Sequence, residues 1–140
     1  MSPARTAPYD DLVSRYRTPL YVYRLDRLRE AAADLRRWLP EGAVVYYSLK
    51  ANPHPRLVAE LGGAGLRAEV SSPGELRAAL AGGCPAEHCL YTGPGKTPDE
   101  VAAALRAGVR LFSVESRADH DRLARAAEKQ GVQARCLLRL

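Results

Sequence analysis

Two spacings of apolar residues alternate along the chain. Short runs rich in branched and aromatic residues indicate strands, and longer stretches with apolar residues three or four apart indicate helices. The predicted strands are "AVVYYSLK", "LRAEV", "HCLYTG", "VRLFSV" and "QARCLLRL". The helices predicted between them are "PHPRLVAEL", "SPGELRAALA", "TPDEVAAALRA" and "SRADHDRLARAAEKQ". The pattern therefore predicts a strand–helix unit that repeats every 20 to 22 residues.

A different segment precedes this repeat. Leucines and alanines at helical spacing predict a helix over Asp26–Leu39, which Pro40 ends. Before this helix, the segment "PLYVYRL" predicts a short strand. We therefore divide the chain into a lead-in strand and helix, residues 1–40, and the strand–helix region, residues 41–140.

Local signals mark where the helices begin and end. Ser72 with Glu75, and Thr97 with Glu100, have the spacing of capping boxes, each with proline at the first helical position. Glycine follows each helix of the repeat, where a left-handed backbone conformation is expected. These signals support the element boundaries that the apolar spacing predicts.

Strands that alternate with helices at this pitch predict an α/β fold with a parallel sheet and right-handed crossovers. A doubly wound sheet and a (β/α)8 barrel both fit the pattern. The glycine-rich dinucleotide fingerprint does not follow the first strand, which weakens the dinucleotide-binding version of the doubly wound fold. In a barrel, chemistry takes place at the carboxyl ends of the strands.

The composition argues against some classes of protein. At 140 residues and 46% hydrophobic content, the chain is globular and at most one ordinary domain. The sequence has no apolar run near the roughly 20 residues of a transmembrane helix and no signal-peptide core, so we expect no membrane association and a cytoplasmic location. The net charge of +5 is spread over helices that also carry acidic residues, which argues against nucleic-acid binding.

The cysteines are Cys84, Cys89 and Cys136, an odd number that favours reduced thiols. The segment "CPAEHC" also contains His88, but its spacing fits no common zinc pattern. We therefore expect no metal site and interpret the cysteines as small buried or loop residues.

Lysine is rare in this chain, because the 21 basic residues include only Lys50, Lys96 and Lys129. Lys50 ends the first strand of the repeat, within "YYSLKANPHP". A lysine amine can lose its proton and condense with an aldehyde to give an imine, and burial in an apolar site favours this reaction. A lysine at the sheet edge that extends its amine into solvent fits the position equally well.

Other candidate residues also fall at or near predicted strand ends. Glu69 could orient a cofactor or Lys50, or be an ordinary carboxylate, and Glu75 could do no more than cap its helix. The loop "TGPGK" (92–96) could offer backbone N–H groups to a phosphate, or form a simple glycine–proline turn. Arg139 could bind an anion or pair with a carboxylate.

Several of these segments together resemble a known family. In this order and at this spacing, "YYSLKANPHP", "AEVSSPGEL", "YTGPGKTPDEV", "FSVESRAD" and "CLLRL" resemble the fold-type III pyridoxal-phosphate decarboxylases, the diaminopimelate/ornithine/arginine decarboxylase family. The likeness runs from Thr18 to Leu140 and includes the lead-in segment. It implies the N-terminal portion, about five strands, of a PLP-binding (β/α)8 TIM barrel of the alanine racemase-like type.

The resemblance also implies roles for particular residues. Lys50 would be the catalytic residue that carries pyridoxal 5'-phosphate (PLP) covalently. Glu69 stands where the family usually has an aspartate near the cofactor, so its carboxylate is one methylene further out. Glu75 corresponds to the glutamate of the family's "SGGEL", and Arg139 to the arginine of "LLRI" near the cofactor phosphate or substrate. The implied reaction is PLP-dependent decarboxylation of an amino acid.

The family's glycine-rich phosphate loop, the acidic partner of its pyridine nitrogen, the rest of the barrel and its C-terminal β-domain are not among these residues. We therefore expect an N-terminal fragment or truncated product, inactive by itself, of a homodimeric parent whose partner is a small-molecule amino-acid substrate. A PLP carrier or homeostasis protein, an alanine racemase-like enzyme and an inactive remnant are the alternatives. Release of carbon dioxide from amino acids would separate a decarboxylase from a carrier.

Overall fold

Strands and helices alternate through most of the computed structural model, which describes residues 9–139. Two helices come first, α1 (Asp10–Tyr16) and α2 (Leu25–Trp38). The repeat then consists of β1 (Tyr46–Ser48), α3 (Pro55–Gly63), β2 (Arg67–Val70), α4 (Pro73–Ala81), β3 (Cys89–Tyr91), α5 (Pro98–Ala107), β4 (Leu111–Val114), α6 (Arg117–Gln130) and β5 (Arg135–Leu138). A short 3-10 turn, Ala86–His88, leads into β3. The predicted strands and helices of the repeat are confirmed, although the strands are shorter than predicted.

The five strands form one parallel sheet in the order β1-β2-β3-β4-β5. The spatial order therefore follows the chain order without a reversal. A doubly wound sheet reverses its strand order at a switch point, whereas a (β/α)8 barrel adds each strand beside the last. The sheet thus decides between the two topologies that the repeat left open, in favour of the barrel type.

One face of the sheet packs against the helices. The core consists of small, branched and aromatic side chains from the strands and from helices α3 to α6, including Val70, Tyr91, Phe112, Val101 and Leu105. Each of these helices contacts the next one in chain order, so all of them cover the same face. Full burial of a branched side chain stabilises the folded state by about 1.5–3 kcal/mol, which makes this layer the main source of stability.

The opposite face of the sheet is more polar. Ser48, Glu69, Leu90, Leu111 and Arg135 are register partners across the sheet and therefore lie on one row. None of these residues is fully buried. Because alternate residues of a strand point to opposite faces, this row faces away from the helices. In a barrel, that face is the interior.

Helices α4 and α5 begin at the caps predicted for them. The Thr97 side chain accepts the backbone N–H of Glu100, whose carboxylate accepts the N–H of Thr97, so this capping box is confirmed. Gly108 ends α5 and Gly131 ends α6 in the left-handed conformation, as predicted. Gly83, directly after the cap of α4, also has a positive φ of +82°, whereas the prediction is wrong for α3, whose capping residue Ala64 has a negative φ angle.

The predicted lead-in strand "PLYVYRL" is not formed, since residues 20–24 have no regular secondary structure. Tyr21 is 87% exposed, and Val22 and Tyr23 are also exposed. A strand needs hydrogen bonds to a neighbouring strand, and β1 pairs only with β2 within the described residues. The helix predicted after this segment is confirmed as α2.

Candidate active site

Lys50 lies two residues after the end of β1, at the carboxyl edge of the sheet. Its neighbour Leu49 is completely buried against the helices and donates its N–H to the carbonyl of Glu69 at 2.9 Å. Lys50 itself is exposed. The Tyr47 hydroxyl donates to the carbonyl of Asn52 at 3.0 Å and so ties the turn after Lys50 back to β1. The backbone at Lys50 is therefore held in place while its side chain is accessible.

The three lysines have different surroundings. Lys96 is buried and forms an ion pair with Asp119, with 3.0 Å between Nζ and Oδ2. Lys129 lies on the exposed surface of α6. Lys50 has no hydrogen bond or ion pair with any other residue in the described range 9–139. Only Lys50 therefore combines a strand-end position with an accessible, unpaired amine.

Glu69 lies on β2, one strand away from Lys50. Its register partners are Ser48 on β1 and Leu90 on β3, so it belongs to the polar face of the sheet. The Thr92 hydroxyl donates to Glu69 Oε1 at 2.9 Å. This bond connects the ends of β2 and β3 and orients the carboxylate, which is only partly buried.

Glu75 lies at the first turn of α4, close to the end of β2. Its carboxylate accepts the backbone N–H of Ser71 at 2.8 Å and also the Ser71 hydroxyl. The N–H of Glu75 donates to the Ser72 side chain at 3.2 Å. The predicted capping box is therefore altered, since the carboxylate reaches the residue before the cap. These contacts are those of a helix cap, and an additional role for Glu75 in cofactor binding stays a prediction.

Arg139 follows β5 and is exposed, with its guanidinium 3.7 Å from Glu115 Oε1. Glu115 follows β4 and also accepts a hydrogen bond from the Ser113 hydroxyl at 3.3 Å. This contact is the carboxylate pairing that the sequence left open for Arg139. The side chain of Arg139 is 71% exposed, so its guanidinium also has free area at the sheet edge.

In the loop after β3, residues 92–96, the predicted turn forms at Pro94 and Gly95, and the side chain of Lys96 is buried. Lys96 does not extend from the edge of the sheet, because it donates to the carbonyl of Gly93 and pairs with Asp119 of α6. Arg122 contacts the other carboxylate oxygen of Asp119 at 3.3 Å and donates to the carbonyl of Lys96 at 2.6 Å. The sequence analysis missed this network, since its members lie on separate elements and no local pattern links them.

The parallel sheet brings the strand-end residues to one edge. In strand order they are Lys50, Glu69, Thr92, Glu115 and Arg139. Two accessible cations stand at the ends of this row, and two carboxylates and a hydroxyl stand between them. An amine that can condense with an aldehyde, a carboxylate held by a hydroxyl and a cation for an anionic group are what a phosphorylated aldehyde cofactor requires.

Comparison with known proteins agrees with this arrangement. Residues 25–140 match the family model for the pyridoxal binding domain of pyridoxal-dependent decarboxylases. The chain belongs to this family. Diaminopimelate decarboxylase of Aquifex aeolicus is 38% identical over 130 residues, which are 93% of this chain and 31% of that protein. Lysine/ornithine decarboxylase of Selenomonas ruminantium is 33% identical over 91% of this chain and 32% of its own length.

Solved structures show the same fold. Diaminopimelate decarboxylase of Helicobacter pylori, complexed with L-lysine, has a TM-score of 0.86 and 26% identity over 94% of this chain and 34% of that chain. SrLDC, in complex with PLP and cadaverine, has a TM-score of 0.85 and 31% identity over 100% of this chain and 36% of that chain. The chain therefore spans about a third of the length of these relatives and corresponds to the N-terminal part of their barrel domain.

One feature concerns membranes. None of the helices within residues 9–139 combines the length and the apolar character that crossing a bilayer requires.

Proposed function

We propose that this chain provides the cofactor-bearing lysine of a PLP-dependent amino-acid decarboxylase, and that this lysine is Lys50. The observation that carries the proposal is the accessible, unpaired amine of Lys50 at the carboxyl end of β1. Lys96 cannot take this role without the loss of a buried ion pair, and Lys129 lies on a helix away from the strand ends. Lys50 Nζ would bind the aldehyde carbon of PLP covalently.

The neighbouring residues would bind and orient the cofactor. Glu69, held by Thr92, would place a carboxylate beside the ring, one strand away from Lys50. Arg139 would offer its guanidinium to the phosphate or to a substrate carboxylate, since both are anions that arginine binds in a bidentate way. Glu75 would act through Ser71, whose N–H and hydroxyl it binds at the end of β2. The residues present thus fit PLP.

The reaction would be the loss of carbon dioxide from an amino acid. Bound PLP supplies an electron-poor ring that stabilises the negative charge left on the α-carbon. The relatives point to basic or acidic amino acids, because they are diaminopimelate, lysine/ornithine and glutamyl-carrier decarboxylases. A homodimeric assembly of the complete enzyme stays a prediction.

The first experiment identifies the lysine that binds PLP. The purified protein is incubated with PLP and reduced with borohydride, and the pyridoxylated peptide is identified by mass spectrometry. We expect labelling at Lys50 that Lys50→Ala removes. Lys129→Ala is the matched control, because it also removes an exposed lysine amine but should leave the labelling unchanged. Labelling that is spread over several lysines, or that persists in Lys50→Ala, would refute the proposal.

A second measurement addresses turnover. Because the segment alone is expected to be inactive, the assay uses the complete enzyme that contains it, as the unmodified protein and with the same two substitutions. The release of labelled carbon dioxide is measured from diaminopimelate, lysine, ornithine, arginine and glutamate, with and without PLP. PLP-dependent release that requires Lys50 supports the decarboxylase. Labelling of Lys50 without release from any of these amino acids would favour a PLP carrier instead.

A further inference from the structure

A pair of cysteines lies at the opposite edge of the sheet from Lys50. Cys84 follows α4, and Cys89 is the first residue of β3. Pro85 and the 3-10 turn after it fold the chain back, so that the two sulfur atoms are 3.9 Å apart. Both thiols also lie near the carbonyl oxygen of Pro85, at 3.6 and 3.7 Å. The pair is therefore a defined contact that the candidate active site does not use.

The two thiols have unequal surroundings. Cys89 is 1% exposed, whereas Cys84 is only partly buried. The contact between the two sulfur atoms lowers the pKa of Cys84 to about 7, with partial burial acting in the opposite direction. The same contact and its burial raise the pKa of Cys89. Of the two thiols, Cys84 is thus the more accessible one and the one that loses its proton first as the pH rises through neutral.

We propose that Cys84 and Cys89 form a redox modification site, at which a peroxide converts the two thiols into an intrachain disulfide. The Cys84 thiolate attacks one peroxide oxygen and the O–O bond breaks, which gives a sulfenic acid and, after proton uptake, water. The Cys89 sulfur then attacks the Cys84 sulfur, the S–O bond breaks, and a second water leaves. The two thiols lose two electrons and two protons, and hydrogen peroxide is reduced to two waters.

The local backbone permits this bond. A disulfide needs about 2.05 Å between the sulfur atoms, so the pair must approach by less than about 2 Å. Cys89 is anchored in the sheet, but Cys84 lies in a loop next to Gly83, which has a φ of +82° and open space on its Cβ side. The movement therefore falls on Cys84.

The test counts free thiols in the purified, reduced protein before and after one equivalent of hydrogen peroxide. We expect the count to fall from three to one, as Cys84 and Cys89 are lost and exposed Cys136 is retained. Dithiothreitol should restore all three thiols, and peptide mapping should show a Cys84–Cys89 link within one chain. Cys136→Ser is the matched control and should lose both of its remaining thiols. Links between chains through Cys136, with Cys84 and Cys89 both free, would overturn the proposal.

Two further variants test the order of the steps. In Cys89→Ser, the sulfenic acid at Cys84 has no resolving thiol, so dimedone should label Cys84. In Cys84→Ser, Cys89 should react neither with peroxide nor with dimedone. Circular dichroism confirms that each variant is folded before the reaction is scored. Dimedone labelling of Cys89 in Cys84→Ser that equals the labelling of Cys84 in Cys89→Ser would contradict the assignment of Cys84 as the attacking thiol.

Discussion

Removal of the Asp119 carboxylate should destabilise the fold more than any other single loss of a charged group considered above. Asp119 and Lys96 form an ion pair whose side chains are only 6% and 3% exposed. Asp119 also contacts Arg122 and accepts the backbone N–H of Glu115 at 3.4 Å. The carboxylate therefore joins the loop after β3, the loop after β4 and the first turn of α6.

The expected magnitude follows from burial. Asp119→Ala leaves the Lys96 ammonium in the protein interior without its carboxylate, and removal of one partner of a buried pair costs about 3–5 kcal/mol. The free energy of unfolding of a domain is about 5–15 kcal/mol, so this is a large fraction of the total. Lys96→Met should cost less, because Asp119 keeps Arg122 as a partner.

The assay is urea unfolding followed by far-ultraviolet circular dichroism. At an m-value of about 2 kcal/mol/M, Asp119→Ala should lower the unfolding midpoint by about 2 M. Asp121→Ala is the matched control on the same helix, since Asp121 is 44% exposed and pairs only with exposed Arg117 and His120 within the described residues. An exposed pair contributes about 0–1 kcal/mol, so the midpoint of this variant should hardly move.

The double variant tests the cause. When Lys96→Met is combined with Asp119→Ala, the buried ammonium is absent. The double variant should therefore lower the free energy of unfolding by less than the sum of the two single variants. A coupling free energy of about 0.5–3 kcal/mol is expected for residues in direct contact. Equal midpoint shifts for Asp119→Ala and Asp121→Ala, or a double variant that is strictly additive, would refute the reasoning.

Four further substitutions test other features. Tyr91→Phe should stabilise the fold by about 1–2 kcal/mol, because the buried hydroxyl has no hydrogen-bond partner within residues 9–139. Burial raises the pKa of Tyr91 from 10.0 to about 12, so the stability lost between these pH values should be smaller in Tyr91→Phe. Gly108→Ala should lower the free energy of unfolding by about 1–2 kcal/mol, measured by thermal unfolding, since the φ of Gly108 is +104°. Gly62→Ala lies within α3 and should raise the free energy of unfolding by about 0.5–1 kcal/mol, because alanine favours the helix. Thr92→Val removes a hydrogen bond of about 1 kcal/mol from Glu69 and should weaken PLP binding about fivefold in a titration, without loss of labelling at Lys50.

Local features of the fold could be predicted because their causes lie within a few residues of one another. The capping box of Thr97 and Glu100, and the left-handed glycine after α5, involve neighbours along the chain. The prediction of the lead-in strand was wrong because strand formation depends on distant residues. Apolar and aromatic residues such as Tyr21 form a strand only where another strand is available to pair with them.

The sequence by itself determined the alternation of strands and helices and placed Lys50 at a strand end, since apolar spacing and turn residues act locally. Only the tertiary structure decided that the strand order runs without reversal, because pairing depends on how each crossover packs against the sheet. It also decided which polar groups meet. Thr92 reaches Glu69, and Lys96 reaches Asp119, across more than 20 residues of chain in each case. Such contacts depend on strand register and helix packing, so two lysines that look alike in the sequence become an accessible amine and a buried ion pair.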